Sequence, residues 1–125
     1  MSSVIRIAVP SSGAGGMDAP RSAHFGRADS FTIVEVADGV VVGNSAFTNP
    51  PHAQGGCGQT VARLAENGVT VAIVVGMGGG PLTAMNRLGI TAYHDELSPT
   101  PQSAVQAYLD GGLTAFDGSR VCAGH

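Results

Sequence analysis

The stretch from Val69 to Val75, Val-Thr-Val-Ala-Ile-Val-Val, is apolar or β-branched throughout and carries no charge. A strand with so little polar alternation is covered on both faces. Such coverage places helices against a partly parallel sheet. The next residues are Gly76-Met77-Gly78-Gly79-Gly80-Pro81, and a helical stretch from Leu82 to Leu88 follows. Strand, glycine turn and helix in that order form an α/β unit. Its turn offers backbone N–H groups to an anion, at the strand end where open α/β sheets bind ligands. The alternative is a tight turn without ligand, with Pro81 starting the helix.

Around this unit the chain reads as β-β-β-α-β-α-β-α. Val4 to Val9 is a first strand, and Pro10 to Arg21 is a Ser-, Gly- and Pro-rich loop. Phe31 to Val36 is a second strand. Asp38-Gly39 is a hairpin signal, so the strand beginning at Val40 and running toward Phe47 is its antiparallel neighbour. A helix runs from about Gly58 to Asn67 and stops at Gly68, with Val61, Leu64 and Ala65 on one face. Leu82, Met85 and Leu88 form the core stripe of the next helix, which Gly89 ends before a strand from Ile90 to Tyr93. Thr100-Pro101 is an N-cap followed by Pro at N1 of a last helix that stops at Gly111-Gly112. Leu113 to Phe116 is either a short edge strand or coil. The expectation is a mixed five-stranded sheet with helices on both faces, with parallel pairing in the β-α-β-α-β part.

A length of 125 residues suits one domain. Residues 1–125 are taken as a single unit, with 111–125 as its tail. The formal charge of -3 lacks the positive field that nonspecific nucleic-acid binding needs. No stretch has the length of a membrane span or a leader, so the expected location is cytoplasmic. All six basic residues are arginines. A Walker-type phosphate loop and a lysine Schiff base are therefore excluded. The two cysteines, Cys57 and Cys122, make no disulfide framework.

Chemistry-bearing residues cluster in the loops. In His24-Phe25-Gly26-Arg27, His24 can donate, accept or ligate a metal. Gly26 permits close backbone approach, and Arg27 offers a fork to oxyanions or an ion pair to Asp29 or Glu35. Phe25 is either a pocket wall or a core anchor. His52 and Cys57 share a glycine-rich loop without zinc-finger spacing. At a helix start Cys57 gains thiolate character and suits a soft metal, or it simply packs the helix onto the sheet. His94-Asp95-Glu96 either attracts a metal through its carboxylates or, as is more usual for such a run, is a solvated loop.

Taken in order, the His24-to-Arg27 motif, the Phe31-to-Val36 strand, the Cys57 helix and Gly76 to Pro81 resemble the dinitrogenase iron-molybdenum cofactor biosynthesis domain family. The likeness runs from about Val4 to Tyr108 and is nearest to the small stand-alone members. It implies a ribonuclease-H-like three-layer α/β fold without ribonuclease activity. It further implies noncovalent binding or carriage of an anionic molybdenum-containing sulfide cluster, with copper or iron as companion metal. That cluster is either a mixed molybdenum-copper sulfide or an iron-molybdenum cofactor precursor. By the same resemblance His24, Arg27, His52, Cys57, Gly78, Gly79 and Gly80 surround the cluster; which of them ligate metal directly is left open, and Arg27, with Arg21 as a second candidate, is expected to balance its negative charge. The helical module and radical-enzyme cysteine motif of longer relatives are missing, so a carrier that does not itself build the cluster is expected. Its partners are the cluster and a donor or acceptor protein, not nucleic acid or a membrane. It is a monomer or a weak dimer through the edge of the third strand. A regulatory domain without a cluster and a small hydrolase are the alternatives.

Overall fold

The computed structural model describes residues 4–22, 25, 28–48, 56–76 and 79–115, with backbone alone for 56–59 and 79–81. The elements are β1 (Val4–Ser11), β2 (Ser30–Ala37), β3 (Val40–Thr48), α1 (Gly56–Glu66), β4 (Val71–Val74), α2 (Gly79–Leu88), β5 (Thr91–His94), α3 (Pro101–Leu109) and β6 (Thr114–Ala115). They form one mixed sheet in the order β3-β2-β1-β4-β5-β6. The pairs β1·β2, β2·β3 and β5·β6 are antiparallel, whereas β1·β4 and β4·β5 are parallel.

Period-two alternation divides the core in two. Ala8, Ile33, Ala72 and Val74 share one cluster with Val61 and Leu64 of α1 and Leu82 and Met85 of α2. Ile7, Val9, Val34, Val71 and Ile73 share another with Ala104 and Val105 of α3. The β1 and β4 positions from Ile7 to Val9 and from Ala72 to Val74 are fully buried, as their near-continuous apolar run requires. In the first cluster Phe31 is wholly buried between Phe25, at 5.4 Å and edge-on, and Phe47, at 5.7 Å.

One local device ends all three helices. Gly68, Gly89 and Gly111 each adopt φ near +80°, at 78°, 79° and 78°. The following residue then bonds back to the last turn: Val69 N to Leu64 O at 3.1 Å, Ile90 N to Met85 O at 2.9 Å and Gly112 N to Ala107 O at 3.0 Å. This is the αL stop that glycine makes without steric cost. At the other end of α3, Thr100 and Ser103 form a reciprocal capping box and Pro101 occupies the first turn. Asp38 and Gly39 both have positive φ, 52° and 80°, as a two-residue hairpin turn demands.

Three expectations are corrected. The sheet has six strands rather than five, because the turn at Gly111 returns the chain to pair Thr114 and Ala115 with His94 and Tyr93. The first strand continues through Pro10 and Ser11, which pair with Phe31 and Ser30, so the loop begins two residues later. Leu88 is 47% exposed rather than part of the core stripe. The helix ends there, and the Gly89 turn drives Ile90 into the core in its place. Among the described residues no helix is long and apolar enough to cross a membrane.

Phe31 is the largest fully buried side chain among the described residues and packs against two other rings. Phe31→Ala is expected to lower unfolding free energy by about 3–5 kcal/mol, read from the shift in urea midpoint at unchanged slope.

Candidate functional site

The pairing scheme brings one end of every long strand to a single edge of the sheet. Because β1, β4 and β5 run parallel, Ser11, Val74 and His94 finish on the same side. Because β2 and β3 alternate in direction, Ser30 pairs with Ser11 and Thr48 pairs with Ser30 there. The segment after Ser11 rejoins the sheet at Ser30, and the segments that leave at Thr48, Val74 and His94 lead in turn to α1, α2 and α3.

The sequence-predicted residues fall in or beside those segments. His24, Arg27, His52 and Gly78 lie outside the described residues, and so does the side chain of Cys57. Cys57 is the second residue of α1, and Gly79 and Gly80 open α2 with Pro81 in the first turn. Phe25 is only 3% exposed and packs edge-on against Phe31, so it is a core anchor and not a pocket wall. It belongs to the core cluster that Val61 and Leu64 of α1 and Leu82 and Met85 of α2 also form. Glu35, one of the acids considered for Arg27, pairs with Arg6 at 3.2 Å, and Asp29 accepts a 2.8 Å bond from Gly13 N–H. Among the described residues no three His, Cys, Asp or Glu side chains gather as a metal-ion site.

The loop after β1 is fastened to the strand ends by a chain of hydrogen bonds. Gly16 N–H donates to Thr32 Oγ1 at 2.9 Å. The Thr32 hydroxyl is 2.8 Å from Ser11 Oγ, which donates to Val9 O at 2.9 Å. Gly15 lies so close that an added Cβ would stand 2.9 Å from Ser30 Oγ and 3.0 Å from Ala46 Cβ. With φ at +82° as well, only glycine fits there. Beneath it the Ser30 hydroxyl is buried without a partner.

A feature missing from the sequence reading sits beside this loop. Arg21 bridges to Ser11 through the backbone, and its Nη1 lies 3.4 Å from Asp95 Oδ2 and donates to Ser98 O at 3.2 Å. The two side chains are 4% and 5% exposed. The solvated loop expected at His94-Asp95-Glu96 is thus replaced, at Asp95, by a buried ion pair. The Asp95 carboxylate also accepts from Leu97 N at 3.0 Å and Ser98 N at 3.2 Å, both on Oδ1. Burial opposes ionisation of Asp95, but the Ser98 and Leu97 hydrogen bonds and the Arg21 charge outweigh it and hold its pKa below the ordinary carboxylate value. Burial lowers the Arg21 pKa while Asp95 opposes that shift. Arg21 Nε and Nη2 are buried with no hydrogen-bond partner. Each such orphaned donor costs about 1–3 kcal/mol or more. In the sequence Arg21 was a second candidate beside Arg27 for balancing an anionic cargo, and no local pattern paired it with Asp95.

Comparison with known proteins agrees with this architecture. The family model described as dinitrogenase iron-molybdenum cofactor matches residues 3–111. An uncharacterized protein of Methanocaldococcus jannaschii is 31% identical over 98 residues, covering 77% of this chain and 82% of its own. The apo form of the orange protein from Desulfovibrio gigas superposes with a TM-score of 0.78 at 27% identity, over 94% of this chain and 98% of that one. A Thermotoga protein solved by NMR and described as a NifB candidate superposes with a TM-score of 0.74 at 27% identity, over 89% and 92% of the two chains.

Because the folded Asp95 has a depressed pKa, its contribution to stability is full above the unfolded carboxylate value of about 3.9. That contribution is lost as pH falls through the folded value. Asp95→Ala is expected to cost about 3–5 kcal/mol at neutral pH by leaving Arg21 buried without a counter-charge. The variant should also lose less stability than the wild type between neutral pH and pH 3. Urea titrations across that range measure both effects.

Proposed function

This chain belongs to the dinitrogenase iron-molybdenum cofactor family, and from that membership we propose that it noncovalently binds or carries an anionic, molybdenum-containing metal-sulfur cluster. The observation that carries the proposal is the gathering of the loop ends at Ser11, Ser30, Thr48, Val74 and His94 on one edge of the sheet. In the sequence, every residue assigned to the site by resemblance lies within or next to a segment that starts from one of those ends. In this assignment Arg27 balances the cargo's negative charge. Backbone N–H groups of Gly78, Gly79 and Gly80 donate to its sulfido or oxo atoms at the start of α2. His24 and His52 add hydrogen bonds or direct contacts, and Cys57 offers a soft ligand at the start of α1.

The cluster is cargo, and the protein's part is to bind, orient and shield it; no turnover is assigned. Its composition, a molybdenum-copper sulfide or an iron-molybdenum precursor, follows the small stand-alone relatives that this chain resembles. The same reading gives a single functional unit with a ribonuclease-H-like three-layer arrangement. It places the protein in the cytoplasm, where a thiol such as Cys57 stays reduced, acting as a monomer or weak dimer that exchanges cargo with a donor or acceptor protein.

Protein purified anaerobically from its native source is expected to be coloured and to contain near-stoichiometric molybdenum and inorganic sulfide, with copper or iron. Apo-protein mixed with tetrathiomolybdate and copper(I) should retain the same chromophore through gel filtration. Arg27→Ala should weaken retention about tenfold or more, the worth of a charged hydrogen bond, with little change in thermal denaturation. An unchanged affinity removes Arg27 from the site. A folded, colourless protein that retains no cluster removes the carrier function.

A further inference from the structure

The orphaned donors of Arg21 have a shape that a ligand can use. A guanidinium presents its Nε–H and one N–H of the adjoining Nη2 side by side, in the parallel fork that meets two acceptor atoms of one anion. In Arg21 those two nitrogens are the ones buried without a partner. The remaining nitrogen, Nη1, is committed to Asp95 Oδ2 at 3.4 Å and Ser98 O at 3.2 Å. Asp95 is itself fixed by the Leu97 and Ser98 N–H groups. One end of the guanidinium is thus clamped by the β5–α3 connection, while the complete bidentate edge stays free.

An arginine held only to brace two loops would be expected to satisfy more of its donors or to expose them to water. Arg21 does neither: its side chain is 4% exposed. It also stands where the candidate loops meet, bridged to Ser11 at the end of β1 and bonded to the residues that follow β5.

We propose that Arg21 is an anion-gripping residue of the site, its Nε/Nη2 fork taking two adjacent oxo or sulfido atoms of one tetrahedral metal centre, with Asp95 as the positioning residue that aims it. The proposal rests on the cluster-carrying function for the identity of the cargo, but its geometry stands apart from that function. Asp95 removes net charge from the pair, so the fork selects for acceptor geometry and not for charge alone. A lysine in its place keeps the charge and loses the two parallel donors.

The test is a ¹⁵Nε–¹Hε NMR titration of the full-length apo-protein with sodium tetrathiomolybdate, sodium molybdate and sodium sulfate in turn. The chain has six arginines and no lysine, so side-chain peaks are few, and the peak lost in Arg21→Lys is that of Arg21. Expected are a shift of the Arg21 peak saturating with tetrathiomolybdate or molybdate, and a Kd raised tenfold or more in Arg21→Lys. Arg6→Lys, at an exposed pair with Glu35, should leave the Kd unchanged. If Arg21→Lys fails to fold, the wild-type titration still decides, with the peak assigned through its cross-peak to the Arg21 backbone. An Arg21 peak that stays still while the protein retains the cluster overturns the fork and leaves the carrier function standing. A peak that moves equally with sulfate, in a protein that retains no cluster, keeps the fork as a general dianion grip and removes the cargo.

Discussion

Strand β1 is paired on both sides, antiparallel to β2 and parallel to β4, and this change of direction at one strand decides where the loops fall. Had β2 run parallel to β1, the residues preceding it would have opened at the opposite edge. Instead Ser30 lies beside Ser11, and the segment carrying His24 and Arg27 starts and finishes at the edge where β4 and β5 also end. The central position of β1 is enforced by burial. Ile7, Ala8 and Val9 are all fully buried, which an edge strand could not provide.

The edge built in this way is polar but closed. Ser11, Thr32 and Gly16 are linked by a chain of hydrogen bonds, and Gly15 presses onto Ser30 closely enough to bar any side chain. On the other side of Ser11, Arg21 and Asp95 bury opposite charges against one another. Burying an ion pair gives little net stability, because the desolvation of both groups offsets their attraction. What it supplies is geometric: it links the β1–β2 loop to the β5–α3 connection. The orphaned Nε and Nη2 atoms are the unfinished part of that arrangement.

Much of the fold was legible from local chemistry. The helix stops at Gly68, Gly89 and Gly111, the Thr100-Pro101 start and the Asp38-Gly39 turn each depend on a few neighbouring residues, and each formed as read. The core positions Val61, Leu64, Leu82, Met85 and Val105 follow from helical spacing. The places where the reading failed share a different cause. Leu88 had the right spacing, but the turn at Gly89 ended the helix and gave its place to Ile90. The sixth strand is only two residues long, so Leu113 to Phe116 read equally as edge strand or coil, and pairing with the open edge of β5 decided between them.

The site divides along the same line. Sequence alone determined that a buried strand leads into a glycine turn and a helix, and that arginines supply every permanent positive charge, because these follow from residue type and adjacent spacing. Tertiary structure decided that Phe25 is a core anchor, that Asp95 is buried, and that Arg21 meets it. The hydrogen bond from Arg21 to Ser98 joins residues 77 apart in the chain. No local pattern pairs two such distant residues; only the sheet order, which lays β1 beside β4 and β4 beside β5, brings them to one place, and only packing around them then removes the water that would have satisfied the free edge of the guanidinium.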